Sequence, residues 1–251
     1  MHTVRRLATG LILLHLGAGV VAWQAGWLAG VVTMAALHLG LLVTTLWPGS
    51  TPFCPAVCRF PATERSVILT IDDGPCQDTP AFLDLLDRFQ AKAVFFLIGQ
   101  RAATDPAAVQ AMAGRGHAVE NHTLTHPALT FWASGPARQR REIAETSALL
   151  ARLSGQPPRW FRAPAGFRNP FTGAVLREAG LHYLGWTARG FDTRETDPDK
   201  ILARLRRGFR PGAVLLIHQG HPHSLALLET LLTALKAAGF RCVLPPAGPP
   251  D

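Results

Sequence analysis

Charge is what this chain has least of. Only 17% of its 251 residues are charged, against about 25% in an ordinary soluble domain. The deficit is uneven. No acidic residue precedes Glu64, and before it the only formal charges are Arg5, Arg6 and Arg59. Lysine is confined to Lys92, Lys200 and Lys236, so arginine carries nearly all of the basicity behind a net charge of +8. No basic stripe with interleaved aromatics accompanies it. That argues against a nucleic-acid partner and leaves anionic lipid headgroups as the plainer reading. Cysteine is limited to Cys54, Cys58, Cys76 and Cys242. Cys54 and Cys58 have no second Cys/His pair nearby, so they make no zinc signature. Apolar residues are plentiful, at 48%. The balance excludes a disordered polymer, a collagen and a disulfide-stapled miniprotein.

The apolar excess sits at one end. From Leu7 to Trp47 no residue is charged, a run too long for one membrane span of roughly 20 residues. It breaks at Trp23-Gln24-Ala25-Gly26-Trp27, where two Trp residues flank a short polar step, and Trp favours the membrane interface. Two helices follow, about 7–23 and 27–47, with Pro48-Gly49-Ser50 ending the second. Residues 1–48 thus form a membrane-anchoring transmembrane hairpin, 49–65 a linker and 66–251 one catalytic domain. Arg5 and Arg6 lie before the hairpin, Arg59 and Arg65 after it, and none in its turn. The positive-inside rule then places both ends, and the domain, in the cytoplasm. Two other readings stand beside this one: a signal peptide in the first stretch, or a single span at the second helix with an exported domain. The part from Glu64 onward holds all 17 acidic residues and 22 of the 25 basic ones, and is long enough for one domain with a real core.

That part has a strand–helix rhythm. Short apolar runs lie at 67–71, 93–98, 118–121, 160–162, 183–186, 214–217 and 241–244. Helical segments separate them, starting at Thr79-Pro80, Asp105-Pro106, Gly135, Asn169-Pro170, Pro198 and Ser224. The spacing is that of βα units, which predicts an α/β fold with a mainly parallel sheet. Seven strands suggest a barrel, complete or not, with its chemistry at the C-terminal strand ends.

Candidate chemistry lies at those ends. Thr70-Ile71-Asp72-Asp73-Gly74-Pro75 sets two acids at the end of a buried strand. A metal on one offsets their repulsion and leaves the other free as a base. His122-Thr123-Leu124-Thr125-His126 spaces two imidazoles to meet on one face of a helical turn and bind one cation. With an Asp at another strand end this becomes a His₂Asp set with open positions. Arg162-Ala163-Pro164-Ala165-Gly166 offers an Arg that can orient a carboxylate. Val214–His218 is a buried strand ending in a His able to give a proton to a leaving group. His221 and His223 are read as rim residues able to assist or replace it. Asp192 can hydrogen-bond a His and set its tautomer.

In this order the motifs resemble those of the polysaccharide deacetylase family (NodB-homology domain, carbohydrate esterase family 4). The first matches with Ile71 where the family has Phe. The second matches fully, and the third matches at Arg162, Pro164 and Gly166. The last matches at Leu216 and His218. The resemblance covers about 66–244. It implies a distorted (β/α)7-type barrel and metal-dependent hydrolysis of an N-acetyl group, usually on an N-acetylhexosamine. It also implies residue roles. Asp73, His122 and His126 hold one divalent ion, zinc in the first instance. Asp72 is the base, His218 the acid, Arg162 fixes Asp72, and Asp192 tunes His218. Leu216 walls the acetyl pocket, and Pro164, Ala165 and Gly166 line the substrate side, with a backbone N–H helping the oxyanion.

The chain departs from the family in its fourth motif. Arg189 stands where an Asp is frequent and Thr193 where a Trp is, which removes one wall of the usual acetyl pocket. Gln219 replaces another frequent Asp. The expected function is therefore deacetylation of an N-acetylhexosamine saccharide at the membrane, a lipid-linked one included. The alternatives are another amide or formamide hydrolase, or an O-acetyl esterase, on the same fold. The expected partners are the saccharide and the bilayer lipid.

Overall fold

The computed structural model describes residues 2–47 and 53–249. The Pro48-Gly49-Ser50 stop, the domain boundary drawn there and the side chain of Arg5 lie outside the described residues. In chain order the elements are α1 (His2–Ala25), α2 (Trp27–Leu46), β1 (Ala56–Val57), β2 (Ser66–Gly74), α3 (Thr79–Arg88), β3 (Ala93–Leu97), α4 (Gly99–Thr104), α5 (Pro106–Gly114), β4 (Ala118–Asn121), α6 (Pro136–Ser154), β5 (Trp160–Phe161), α7 (Thr172–Glu178), β6 (His182–Leu184), β7 (Ala188–Arg189), α8 (Pro198–Arg206), β8 (Ala213–His218), α9 (Ser224–Ala237) and β9 (Arg241–Cys242). A 3₁₀ turn at Pro164–Gly166 follows β5.

The strands run β1-β6-β5-β4-β3-β2-β8-β7, with β9 added to β2. Every pairing between named strands is parallel. This curled sheet is the distorted barrel that the strand spacing predicted, with two strands more among the described residues than the seven expected. Both extra strands, β1 and β7, are two residues long and lie outside the apolar runs read from the sequence. Part of the stretch read as a linker belongs to the sheet, because β1 pairs with β6. Just beyond it, Phe60 N–H donates to Gly212 O at 2.8 Å and Arg59 bridges Ala213. This segment carries the sheet edge at β6 toward the foot of β8.

Successive strand residues face opposite ways, and this divides the core. Val67, Leu69 and Ile71 of β2, Phe95 of β3 and Leu215 and Ile217 of β8 pack outward on α3, α5, α8 and α9. Ile68, Val94, Phe96, Trp160, Leu184 and Val214 fill the interior with Phe60. By the same alternation Thr70, Asp72, Leu216 and His218 project inward, toward the C-terminal strand ends.

Most of the described side chains that the N-terminal hairpin exposes are apolar. Trp23 and Trp27 at its tip are 90% and 75% exposed, and Gly26 between them has φ +93°, open to glycine at little cost. The two helices touch near the tip, where a Cβ on Gly30 would lie 2.3 Å from the Ala22 Cβ. Ala8–Ala25 is long and apolar enough to cross a membrane, while Trp27–Val43 is a shorter apolar stretch. At the other end of the hairpin, Arg168 reaches the domain side of α2. Its backbone N–H donates to Thr45 O at 3.4 Å and its Nη2 to Trp47 O at 3.5 Å.

Candidate active site

Adjacent strand residues point to opposite faces, so Asp72 and Asp73 cannot share a site in a regular strand. Here the register of β2 against β3 shifts between Asp72 and Gly74, and Asp73 takes φ +72°. The bulge turns the Asp73 carboxylate toward the C-terminal mouth beside Asp72. The Arg101 guanidinium of α4 holds the Asp73 carbonyl in this turn.

His122 and His126 approach the same carboxylate. The sequence reading put them on a helical turn; the structure corrects this. Residues 122–126 form a loop with left-handed backbone at Thr123 (φ +68°) and His126 (φ +52°). His126 N–H donates to Thr123 Oγ1 at 3.2 Å. Buried Glu142, on α6, accepts from the Leu124 and Thr125 N–H groups at 2.9 Å and from Thr125 Oγ1 at 2.8 Å. The loop brings the two rings to a centroid separation of 4.9 Å. Their Nε2 atoms lie 3.4 Å (His122) and 3.2 Å (His126) from Asp73 Oδ1. His122 Nδ1 lies 2.8 Å from Arg162 O, a contact that orients Nε2 toward Asp73.

These three side chains fit a metal by their own chemistry. One oxygen and two imidazole nitrogens lie within 4.8 Å of one another. Asp73 Oδ1 is buried and has no hydrogen-bond donor. Burial opposes the Asp73 charge, but contact with His122 and the fields of His122, His126 and His218 outweigh it and hold the carboxyl well below its usual range. Burial, with the neighbouring His122 charge, pushes His126 down to about 4. A carboxylate beside a neutral imidazole is the ligand state a divalent ion requires.

Two further residues are held around this cluster. Asp72 is 2% exposed and Arg162 1%. Arg162 Nη1 donates to Asp72 Oδ1 at 2.7 Å and to Thr70 Oγ1 at 2.8 Å, while Nε and Nη2 bind Leu184 O and Gly185 O. Its guanidinium lies 4.3 Å from the Phe96 ring centre. Every face of the Arg is engaged, which fixes Asp72 Oδ1 and leaves Oδ2 turned toward His122, 3.8 Å away.

His218 is the register partner of Asp72 on β8. Asp192, 1% exposed, accepts from the His218 backbone N–H at 2.7 Å and pairs with its Nδ1 at 3.0 Å. Burial alone would lower the His218 pKa; the Asp192 hydrogen bond and charge, backed by Asp72 and Asp73, raise it instead. His223 Nε2 contacts Asp192 O at 2.9 Å, and His221 stacks on His223. His223 thus sits behind Asp192, while His221 lines a cavity together with Asp73, Arg101 and Gln219. Leu216 pairs with Thr70 on the inner face. Ala165 takes φ +55° in the turn at Pro164–Gly166, and a Cβ on Gly166 would meet the Trp186 ring at 2.3 Å. Trp186 therefore closes over this turn.

A polysaccharide deacetylase family model matches residues 60–184. A chitooligosaccharide deacetylase of Bradyrhizobium is 34% identical, over 70% of this chain and 87% of its own length. A peptidoglycan-N-acetylglucosamine deacetylase of Bacillus cereus is 33% identical, over 74% and 69%. The chain belongs to the polysaccharide deacetylase family. Among solved structures, the Bc1960 peptidoglycan N-acetylglucosamine deacetylase superposes with a TM-score of 0.70 at 30% identity, over 76% of this chain and 91% of that one. A pseudoenzyme of carbohydrate esterase family 4 from Bacillus anthracis superposes almost as well, with a TM-score of 0.68 at 25% identity, over 74% and 66%. A polysaccharide deacetylase fold alone therefore does not settle activity, and the side chains must carry that inference.

The structure brings together Asp72, Asp73, His122, His126, Arg162, Asp192 and His218 and adds two more. Glu142 and Arg101 position site residues, yet no local pattern marks them; Thr70, which accepts from Arg162, belongs to the first motif. Each acts on a partner far away in sequence. Two outcomes follow. Glu142→Ala should weaken metal affinity by about 10- to 100-fold, measured by chelator competition, because it frees the loop between the two His ligands. Asp192→Asn should move the alkaline limb of the kcat/KM–pH profile to lower pH. A raised His218 pKa keeps the acid form to higher pH, and removing the carboxylate charge withdraws that support.

Proposed function

We propose that the protein is a metal-dependent N-deacetylase acting on an N-acetylhexosamine-containing saccharide at a membrane. One observation carries this reading: a buried, unbonded Asp73 oxygen faces two imidazole nitrogens, with a clamped carboxylate on one side and a clamped His on the other. Asp73, His122 and His126 would hold a divalent ion, zinc in the first instance, which would supply polarisation of the acetyl carbonyl and activation of water. Asp72, held by Arg162, takes the proton of the attacking water. The oxygen of that water adds to the acetyl carbon, and the C–N bond then breaks. His218, held by Asp192, delivers a proton to the leaving nitrogen, so a free amine and acetate result. Leu216, Pro164, Ala165 and Gly166 wall the acetyl group, and a backbone N–H of that turn assists the oxyanion.

The hairpin supports a membrane location through its exposed apolar faces and interface Trp residues. The Arg residues at its two ends favour a cytoplasmic domain and hence a lipid-linked saccharide. Full-length protein with zinc is expected to release acetate from N-acetylhexosamine saccharides. Formate release alone, or acetate from O-acetyl groups alone, would overturn the N-deacetylase in favour of the other amide or ester activities. A reporter fused after Asp251 is expected to read as cytoplasmic; an exported signal would redirect the substrate to wall or capsule.

A further inference from the structure

Beside the turn at Ala165 lies a cavity of about 650 Å³. Arg189, Arg194, Arg204 and Arg207 line it together with Trp186 and Phe191, and no acidic residue does. Arg204 is already engaged, with Gly190 O and Glu195 Oε2 each at 3.1 Å. Arg189 is different. Its guanidinium lies 4.1 Å from the Phe191 ring centre and 5.2 Å from that of Trp186. Aromatic faces hold a guanidinium plane but leave its in-plane donors unused. Its Nε is buried and has no hydrogen-bond partner among the described residues. The nearest acid in sequence, Asp192, is committed to His218. Burial accordingly pushes the Arg189 pKa down, against the pull of Asp192.

A buried guanidinium nitrogen without an acceptor is costly unless the rest of the group finds a partner. Arg189 is also well placed to meet substrate. It is the register partner of Leu216 on β8, two residues before His218. The cavity shares Ala165 with the turn that walls the acetyl group. A guanidinium edge there presents parallel donors that suit the two oxygens of a phosphate or a carboxylate.

We propose that Arg189 receives an oxyanion, a phosphate or a carboxylate, carried by the saccharide next to its N-acetyl sugar. Arg194 and Arg207, both exposed, add long-range attraction around this anion site. This rests on the N-deacetylase reading and narrows it to anionic amino sugars.

The test compares three ligands of one N-acetylhexosamine: neutral, 1-phosphorylated, and bearing a carboxylate ether. For the full-length protein with zinc, kcat/KM for at least one anionic form should exceed the neutral one by about tenfold or more, the scale of one charge-assisted hydrogen-bonded pair. In Arg189→Gln the ratio should collapse toward one, and Arg189→Lys should restore part of it. Which anion wins identifies the source. Calorimetry in an Asp72→Asn background reads the same preference as a ratio of Kd values without turnover. Equal Kd values for neutral and anionic sugars, or a preference unchanged in Arg189→Gln, would overturn the anion site. Absence of acetate release from all three ligands would instead defeat the deacetylase reading, and the calorimetric ratio would still judge Arg189.

Discussion

Asp72→Asn is expected to lower kcat for acetate release by about 10³-fold, the usual scale for a lost general base, with bound metal retained. Asn is the informative replacement. It keeps an oxygen for the Arg162 Nη1 bond at 2.7 Å, although it lacks the carboxylate charge and cannot take a proton. Alanine would remove that acceptor as well as the charge beside Arg162 in the barrel interior, at a cost of about 3–5 kcal/mol, and would confuse stability with chemistry. Asp72 makes no contact within hydrogen-bond reach of the His ligands, its nearest approach to His122 being 3.8 Å. The metal content of the variant should therefore match the parent by elemental analysis. Full activity in Asp72→Asn would show that the proton goes elsewhere and would leave Arg162 clamping a bystander.

His122→Ala is expected to abolish tight metal binding and to lower activity by about 10³-fold, the several kcal/mol of charge stabilisation a Lewis acid supplies. His122 is the most enclosed of the three donors, at 2% exposure, and its Nδ1 contact with Arg162 O ties it to the motif that also holds Asp72. Chelation of the parent protein should reproduce the loss, and added zinc should restore the parent but not the variant. Circular dichroism checks that the barrel survives. Retention of chelator-sensitive activity in His122→Ala would remove it from the ligand set.

Much of this site was legible because its residues sit in runs. Asp72-Asp73 ends an apolar strand, and Leu216 and His218 end another, so the βα rhythm alone placed them at one mouth. The family resemblance supplied roles that the rhythm could not. What escaped is long-range or backbone-driven. The pair at 122 and 126 was read as helical because i, i+4 spacing is a helix signature. The observed convergence depends on positive φ at Thr123 and His126 and on Glu142 from the next helix. Neither cue is local. The strand β1 hid in a Pro-rich stretch that reads as a linker. Asp73 needed a bulge to share a face with Asp72, and a bulge depends on register with a neighbouring strand.

One attachment described above bears on how such an enzyme would meet its substrate. Arg168 binds carbonyls at the end of α2 and lies 4.4 Å from the Tyr183 ring centre, while the Tyr183 hydroxyl donates to Gly166 O at 3.1 Å. The last turn of the hairpin is thus tied through two side chains to the turn at Pro164–Gly166, the one proposed to wall the acetyl group. With the hairpin in a bilayer, the catalytic mouth would keep a fixed height above the headgroups. Encounter would then become a two-dimensional search, governed by the mole fraction of substrate in the membrane rather than by its concentration in the surrounding water.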